Sequence, residues 1–280
     1  MREFSQKKIA LVNDVTGFGR CSVTVALPII SALKVQCCIL PTAILSSHTG
    51  FDNFFFEDYT PKMREYIHNW EKINLSFDGI CTGFLGSEDQ IDIVLEFLQK
   101  FKTKDNIVII DPVMGDYGEL YCTYTEEMCK KMQHLIEYAD VLTPNLTELC
   151  RLLNISYPNK TPSHDELYSL CEILANEGPT KIVITGLHRD GYIENYIYEK
   201  DKPYKIIKVN KIGEDRAGTG DVFSSIVSAS LVKGEDFAMS VKKATDFISK
   251  ALKFTNDLNL PTTHGVCFEE FLTELRWLKN

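Results

Sequence analysis

Short apolar runs alternate with longer amphipathic segments along most of the chain. The strand-like runs are residues 9–12, 35–40, 77–81, 107–110, 141–142 and 181–185. Near-continuous apolar runs are typical of strands that are buried on both faces of a parallel sheet. Because amphipathic segments separate these runs, the pattern predicts repeated strand–helix units and a layered α/β fold.

Helix-start signals lie in several of the separating segments. In a capping box, a short polar side chain is followed three residues later by Glu or Gln, and each side chain bonds the other residue's backbone N–H. Three pairs have this spacing: Ser87 with Gln90, Asn145 with Glu148, and Ser163 with Glu166. They predict helices over residues 91–101, 149–153 and 167–175.

The last third of the chain has a different pattern. Residues 192–198 and 206–209 are expected to form an antiparallel strand pair, and helices are expected over residues 219–232, 236–254 and 268–278. The sequence contains no linker-like stretch, low-complexity segment or internal repeat. We therefore expect one domain over residues 1–280.

Composition and charge exclude several classes of protein. The chain has 280 residues, of which 44% are hydrophobic, so it can bury a sizeable core. Acidic residues outnumber basic ones by 39 to 30, and the resulting charge of −9 argues against a nucleic-acid binder, which needs cationic surface. A small anionic ligand is still compatible, since backbone N–H groups can hold one. No run of about 18 uncharged apolar residues is present, so we expect no membrane-spanning helix.

The cysteines and the first residues suggest where the protein works. Nine cysteines are scattered along the chain, and none forms a Cys-x-x-Cys pair that would indicate a zinc site. Scattered thiols are typical of a reducing compartment. Residues 1–8 are polar and show no secretory signal, so we expect a cytoplasmic protein.

Polar residues or glycines directly follow most of the predicted strands. They are Asn13 with Asp14, Thr42, Gly83, Asp111, Thr143 and Gly186. In an open α/β sheet, ligands bind outside the carboxyl ends of the strands. These residues therefore either converge on one cleft or are ordinary turn residues.

The segment Ala-Gly-Thr-Gly-Asp-Val-Phe at 217–223 is the strongest candidate for chemistry. It opens an apolar helix, so the N–H groups of Gly218, Thr219 and Gly220 are expected to form a phosphate site together with the helix dipole. Asp221 is a candidate base that accepts a proton from a substrate hydroxyl. A helix N-terminus stabilises a carboxylate, so the sequence gives no reason to expect a raised pKa for Asp221. The alternative is a plain helix cap.

The segment Asp-Pro-Val-Met-Gly-Asp at 111–116 contains two candidate metal ligands. Asp111 and Asp116 flank a turn, and carboxylates suit Mg²⁺, which also binds substrate phosphates. The alternative is a Pro/Gly turn with solvated acids. Residues 117–124, which follow, form either a mobile flap over a site or a surface loop.

Two further segments contain candidate ligand-binding residues. Asn145 and Glu148 either only cap a helix, or contact a phosphate and a metal-bound water, respectively. In the polar patch that follows the second strand, His48 is either a hydrogen-bond partner of a ligand or a structural histidine. The nearby residues have no Ser/His/Asp order that would indicate a hydrolytic triad.

Two common nucleotide-binding motifs do not occur in the sequence. No Gly-x-x-x-x-Gly-Lys-Ser/Thr loop is present. Gly17 and Gly19 follow the first strand, but the third glycine of a dinucleotide fingerprint does not. A Rossmann oxidoreductase is therefore not favoured.

Taken together and in this order, the segments resemble the pyridoxal kinase family within the ribokinase-like kinases, over roughly residues 7–255. Gly-Thr-Gly-Asp at 218–221 is typical of the superfamily. Four other segments narrow the likeness to pyridoxal and pyridoxamine kinases. They are Ser-x-His-Thr-Gly at 46–50, Thr-Gly-Phe-Leu-Gly-Ser at 82–87, Asp-Pro-Val-Met-Gly-Asp at 111–116 and Thr-Pro-Asn at 143–145.

The resemblance implies a ribokinase-like fold, with a central, mainly parallel β-sheet and helices on both faces, and a homodimer. It also implies ATP-dependent phosphorylation of the 5′-hydroxymethyl group of pyridoxal, pyridoxine or pyridoxamine. Asp221 would be the base, and Gly218, Thr219 and Gly220 would form the anion hole.

The resemblance assigns further binding residues. Around the nucleotide, its phosphates and Mg²⁺ it implies Asp116, Thr143, Asn145, Glu148, Thr185 and Gly186. Asp111, with Thr143 and Thr185, would surround a monovalent cation, usually K⁺; Asp111 and Glu148 are thus the expected metal-site residues. The vitamer pocket is expected to include Asn13, Asp14, Ser47, His48, Thr49 and Phe84.

The sequence departs from the family at two of these positions. Asn13 and Asp14 stand where many relatives have Ser-His, whose Ser usually contacts the pyridine ring, and Phe84 stands where a Tyr is common. Both changes leave the preferred vitamer open and keep hydroxymethylpyrimidine as an alternative substrate. A non-catalytic nucleotide- or vitamer-binding protein of the same fold is a third interpretation, against which the intact Asp221 argues.

Overall fold

The computed structural model describes residues 6–276, which form a nine-stranded sheet covered by helices. The strands are β1 (Lys8–Thr16), β2 (Gln36–Leu45), β3 (Phe56–Asp58), β4 (Gly79–Thr82), β5 (Ile107–Ile110), β6 (Gly115–Asp116), β7 (Glu119–Leu120), β8 (Val141–Leu142), β9 (Lys181–Arg189), β10 (Tyr192–Glu199) and β11 (Lys205–Asn210). The helices are α1 (Ser22–Ala32), α2 (Thr60–Lys72), α3 (Glu88–Phe101), α4 (Glu126–Ile136), α5 (Leu146–Leu152), α6 (His164–Ala175), α7 (Thr219–Val232) and α8 (Phe237–Asp257).

The order of strands across the nine-stranded sheet is β11-β10-β9-β8-β5-β4-β1-β2-β3. The strands β6 and β7 pair with each other as a separate two-stranded sheet. The six strands from β9 to β2 pair in parallel. Antiparallel strands lie at both edges, with β3 on β2 and the predicted pair of β10 and β11 beside β9. The mainly parallel sheet expected for a ribokinase-like fold is thus confirmed.

Each central strand contributes to a hydrophobic layer on both faces of the sheet. In β1, Ala10 and Val12 join a core with α2 to α6, whereas Ile9 and Leu11 join a core with α1, α7 and α8. Successive side chains of a strand point to opposite faces, so a strand covered on both faces needs apolar residues at every position. This is why the runs are continuous rather than alternating.

The predicted helix starts are confirmed with one difference. Asn145 and Ser163 form complete capping boxes with the glutamates three residues on. Ser87 Oγ accepts the Gln90 N–H at 3.2 Å, but the Gln90 side chain turns away from Ser87 and accepts the Gly86 N–H instead. The Gln90 amide also donates to the Thr42 carbonyl, so a long-range contact replaces half of this capping box.

The predicted helix over residues 268–278 is wrong. Two single 3₁₀ turns, Glu269–Phe271 and Glu274–Arg276, occupy the segment, and positions 277 and 278 lie outside the described residues. The ring of Phe271 packs against aromatic rings of α8, and Leu275 is buried against the core that includes α1. A short helix is marginal by itself, so these tertiary contacts decide the backbone conformation.

One expectation from composition concerns membranes. Among residues 6–276, no helix has the length and apolar character needed to cross a bilayer.

Candidate active site

Of the residues predicted to follow strands, Gly83, Asp111 and Thr143 do so, after β4, β5 and β8. Asn13, Asp14, Thr42 and Gly186 lie inside β1, β2 and β9 instead, because these strands continue past their predicted ends. The residue that follows each of β4, β5 and β8 is held by the neighbouring strand: Gly83 N–H donates to the Val12 carbonyl, and Asp111 N–H donates to the Thr82 carbonyl. Farther along, Thr143 N–H donates to the Ile110 carbonyl. The parallel hydrogen-bond ladder therefore sets the spacing of these three residues.

The turn before α7 has a backbone that only glycine fits. Gly218 has a φ of 78°, in the left-handed region, and a Cβ at this position would lie well under 3.0 Å from the carbonyl oxygen of Arg20. The first intrahelical bond runs from Val222 N–H to the Gly218 carbonyl at 3.0 Å. The preceding N–H groups of α7, the predicted anion hole, are those that helix geometry leaves without an intrahelical acceptor.

Asp221 lies in the first turn of α7. Asn13 Nδ2 lies 3.3 Å from Asp221 Oδ1, and the backbone N–H of Ser22 also lowers the pKa of this carboxyl. Burial nevertheless raises the pKa of Asp221 to about 6. Desolvation of the carboxylate therefore outweighs both donors and the helix N-terminus, contrary to what the helix position alone indicated.

Two further carboxylates of the predicted site are buried, and only Asp111 is affected by the charge of Asp221. Burial raises the pKa of Asp111 to about 7, and the charge of Asp221 adds to this shift. Burial also raises the pKa of Glu148, with a contribution from the charge of Asp111. The Thr143 hydroxyl is buried and makes no hydrogen bond of normal geometry to the described residues.

These groups fit a cation. The unpartnered oxygen of Thr143 and the raised pKa values of Asp111 and Glu148 indicate electronegative groups whose charge is poorly compensated. Hard oxygen ligands suit Mg²⁺ or K⁺. Within residues 6–276, no group of three or more His, Cys, Asp or Glu side chains is arranged to hold a metal ion. Mg²⁺ is often bound by only one or two protein carboxylates, and water molecules and substrate phosphates then supply its other ligands.

Asn145 and Glu148 do form the predicted cap. Glu148 Oε2 accepts the Asn145 N–H at 2.8 Å, and Glu148 Oε1 accepts the Met114 N–H at 3.2 Å. Asn145 Nδ2 donates to the Gly115 carbonyl at 2.8 Å, which ties the cap to β6. Each carboxylate oxygen retains a second lone pair, so the cap is compatible with the ligand roles implied by the family resemblance.

The segment after Asp116 is a small hairpin of β6 and β7. Tyr117 and Gly118 form its turn with φ values of 50° and 87°. The Tyr117 hydroxyl donates to Asp215, in the loop that leads to α7, and Gly118 N–H donates to the Thr147 hydroxyl. The hairpin thus contacts the loop before the anion hole on one side and α5 on the other. Whether it moves as a flap stays a prediction.

Both ring nitrogens of His48 are hydrogen-bonded within the protein. Nδ1 accepts the Gly50 N–H at 3.1 Å, so Nε2 carries the proton and donates to the Thr263 carbonyl at 2.7 Å. His48 therefore holds its own loop against residues 262–265. Ser47 is buried, and Thr49 is partly exposed beside it. The predicted roles of all three residues in substrate binding stay predictions.

Sequence reasoning missed several residues that shape the site. The Gly17–Arg20 loop, dismissed as a broken dinucleotide fingerprint, packs against Gly218 and precedes the N–H donor of Ser22. Arg216 donates to the carbonyls of Pro261 and Leu260, at 3.0 and 2.9 Å, and anchors the anion-hole loop. The sequence contained no local signal for these long-range contacts.

One missed residue had a signal in the sequence. The side chain of Ser224 lowers the pKa of Asp111, and its hydroxyl lies 3.5 Å from the Asp221 carbonyl. Ser224 lies three residues after Asp221 on α7, so helix periodicity places it on the same face as the candidate base.

Comparison with known proteins places this fold among the ribokinase-like kinases. The fold matches a crystal structure from Bacteroides thetaiotaomicron VPI-5482, described as a candidate phosphomethylpyrimidine kinase, with a TM-score of 0.96 and 38% identity over 100% of this chain and 97% of that chain. A second crystal form of that protein, with pyridoxal, matches with a TM-score of 0.93 and 38% identity over 97% of this chain and 96% of that one.

Sequence relatives carry two kinds of name. A pyridoxal kinase of Arabidopsis thaliana is 31% identical over 65% of this chain and 60% of its own length. A hydroxymethylpyrimidine/phosphomethylpyrimidine kinase of Aquifex aeolicus is 27% identical over 64% of this chain and 69% of its own length. The phosphomethylpyrimidine kinase family matches residues 29–267. The chain therefore belongs to this family, whose members are named for pyridoxal or for the pyrimidine.

Proposed function

We propose that this protein is an ATP-dependent kinase that transfers the γ-phosphoryl group to the 5′-hydroxymethyl group of pyridoxal, pyridoxine or pyridoxamine. The observation that carries the proposal is the turn at the start of α7. It combines a left-handed Gly218, free helix N–H groups and the carboxylate of Asp221 within one helical turn.

Each part of this turn has a role in phosphoryl transfer. The N–H groups of Gly218, Thr219 and Gly220 can donate to a negatively charged phosphate, and the α7 dipole adds to their effect. Asp221 accepts the proton of the attacking alcohol. A pKa of about 6 keeps most of this carboxyl ionised at neutral pH while making it more basic than an exposed aspartate. Positioning of the alcohol matters most, because the transition state of phosphoryl transfer is loose.

The acidic groups at the β5 and β8 ends are proposed to bind the cations that accompany ATP. Asp116, Asn145 and Glu148 would hold Mg²⁺, directly or through water, and its phosphate ligands; Asp111, Thr143 and Thr185 would hold K⁺. Mg²⁺ supplies neutralisation of the charge on the transferring phosphoryl group.

A vitamin B6 alcohol is favoured over the pyrimidine by two observations. The Ser-x-His-Thr-Gly patch resembles pyridoxal kinases, and the structural relative with 38% identity was crystallised with pyridoxal. The second candidate is a hydroxymethylpyrimidine kinase, which the family match supports. Phe84 and Asn13 are positions at which this chain departs from the residues that are common in pyridoxal kinases, and these departures keep the second candidate open.

The base is tested with Asp221→Asn, which removes the proton acceptor without changing the size of the side chain. We expect kcat to fall by about 10²–10⁴-fold while binding of an ATP analogue is retained. Asp246→Asn is a matched control, because Asp246 is an exposed partner of Lys242 on α8. Wild-type turnover in Asp221→Asn would refute the assignment of the base.

The substrate is tested by parallel steady-state assays with pyridoxal, pyridoxine, pyridoxamine and hydroxymethylpyrimidine. We expect the largest kcat/KM for a B6 alcohol. A pyrimidine value well above all three would support the second candidate. Binding of ATP without phosphate transfer to any of the four alcohols would favour a binding protein.

A further inference from the structure

The side chain of Asn13 is enclosed in the second half of β1. Its exposed fraction is 3%, and a Cβ on Gly83 would lie under 3.0 Å from its amide group. The neighbouring glycine therefore provides the space that the amide occupies. Because the amide group has so little space, its hydrogen bonds determine its orientation, that is, which side carries the oxygen and which the nitrogen.

Two backbone donors fix the orientation of the amide. Asn13 Oδ1 accepts the N–H of Asp14 at 3.0 Å and the N–H of Phe84 at 2.9 Å. An amide nitrogen cannot accept a hydrogen bond, so exchanging the oxygen and nitrogen atoms would leave both buried N–H groups facing a donor. The oxygen is thus assigned by its partners, and both of its lone pairs are occupied.

The amide nitrogen consequently faces α7. Asn13 Nδ2 lies 3.3 Å from Asp221 Oδ1, across 208 residues of sequence. It is a side-chain donor to this carboxylate, whose pKa the backbone N–H of Ser22 also lowers. The Asn13 side chain therefore joins β1, the turn after β4 and the first turn of α7.

We propose that Asn13 is a positioning residue that orients the carboxylate of Asp221, rather than a residue that recognises the substrate ring. The inference rests on the proposed function, in which Asp221 is the base. It also revises the role expected from the family resemblance, where the residue at this position contacts the pyridine ring. Both lone pairs of the Asn13 oxygen are used by backbone N–H groups, and one of its two amide N–H groups is directed at Asp221, so the contacts that the structure shows serve the carboxylate.

Asn13→Asp tests this arrangement with a side chain of the same size. One carboxylate oxygen still accepts both backbone N–H groups, whereas the other replaces a donor with an acceptor facing Asp221. We expect kcat to fall on the order of 10²-fold, and KM for ATP and for the alcohol to change by less than about threefold. A ring-recognising Asn13 predicts the opposite, a raised KM for the alcohol with little change in kcat.

Asn106→Asp is the matched control for this substitution. Asn106 also bridges two backbone groups, accepting the Thr103 N–H and donating to the Phe101 carbonyl, but it precedes β5 at the far end of the sheet. Its kcat should stay within about twofold of wild type, since positioning effects arise at the reacting groups.

A second variant, Asn13→Ser, carries the test if Asn13→Asp fails to bind an ATP analogue and is therefore misfolded. Ser is the residue that many relatives have here, so a ring-recognising position should tolerate it. We expect kcat to fall by roughly tenfold or more, because the shorter hydroxyl cannot accept two N–H groups and also reach Asp221. Unchanged kcat in Asn13→Ser would overturn the proposal.

An activity-independent measurement separates this inference from the proposed function. NMR titration of the Asp221 carboxyl in wild type and Asn13→Ser should show a higher pKa in the variant, because the amide donor stabilises the carboxylate. Asp14 and Asp111, the neighbouring acids, are common to both proteins. An inactive wild type with this pKa difference contradicts the kinase assignment alone, whereas an active wild type without it contradicts the role of Asn13.

Discussion

Gly218→Ala should destabilise the protein and disable the anion hole together. Gly218 has a φ of 78°, and a left-handed non-glycine residue costs about 1–2 kcal/mol. The added methyl group would also lie well under 3.0 Å from the Arg20 carbonyl, and such overpacking costs about 1–3 kcal/mol. The sum is about 2–5 kcal/mol, a large part of the roughly 5–15 kcal/mol that stabilises a typical domain.

Two other glycines separate the contributions of strain and clash. Gly234 ends α7 with a φ of 84° and has no atom within 4 Å of a built Cβ, so Gly234→Ala should cost only the strain, about 1–2 kcal/mol. Gly220 has open space around its Cβ and no positive φ. Gly220→Ala should therefore be neutral or stabilising by up to about 1 kcal/mol.

The assay is equilibrium unfolding in urea, with kcat measured on the same samples. We expect the stability order Gly220→Ala, Gly234→Ala, Gly218→Ala, from most to least stable, and in Gly218→Ala a loss of about 10²–10³-fold in kcat because the helix N–H donors are displaced. If Gly218→Ala were as stable as Gly234→Ala, the contact between the Arg20 carbonyl and the anion-hole turn would not confine this backbone, and the argument would be refuted.

Two further predictions concern ionisation and capping. Because only ionised Asp221 accepts a proton and its pKa is about 6, kcat/KM should rise with pH up to about 6 and then level off, and a pH profile without this limb would contradict the assignment. Asn145→Ala and Ser163→Ala each remove one side of a capping box and should lower the free energy of unfolding by about 1 kcal/mol. Only Asn145→Ala should also raise KM for ATP. Equal KM values in the two variants would show that Asn145 caps the helix and does not contact ATP.

The local sequence determined those strands and helix starts that are stabilised by contacts between residues close together in the chain. The bounds of β5 follow from a short apolar run, and the Asn145 and Ser163 capping boxes follow from a three-residue spacing. The helix that begins at Thr219 follows from glycine, cap and periodicity signals within one segment. Each of these signals acts between residues less than two helical turns apart, so the chain carries it before it folds.

Local sequence patterns predicted the structure less accurately where contacts with distant segments compete with local ones. Residues 268–278 have helical spacing, but the contacts of Phe271 and Leu275 with other elements favour 3₁₀ turns. Gln90 has capping-box spacing, but its amide reaches the Thr42 carbonyl and the Gly86 N–H instead. In both cases a tertiary partner replaces the local one.

The candidate site shows the same division. Residue type and order indicated Asp221, Gly218 and the acids at the strand ends, because anion-binding turns and carboxylates have local signatures. Only the tertiary structure decided that Asn13 points its donor at Asp221 and that burial raises the pKa of that carboxyl to about 6. Both depend on which side chains surround a group in space, and desolvation by residues far apart in the chain has no signature in the segment that carries the charge.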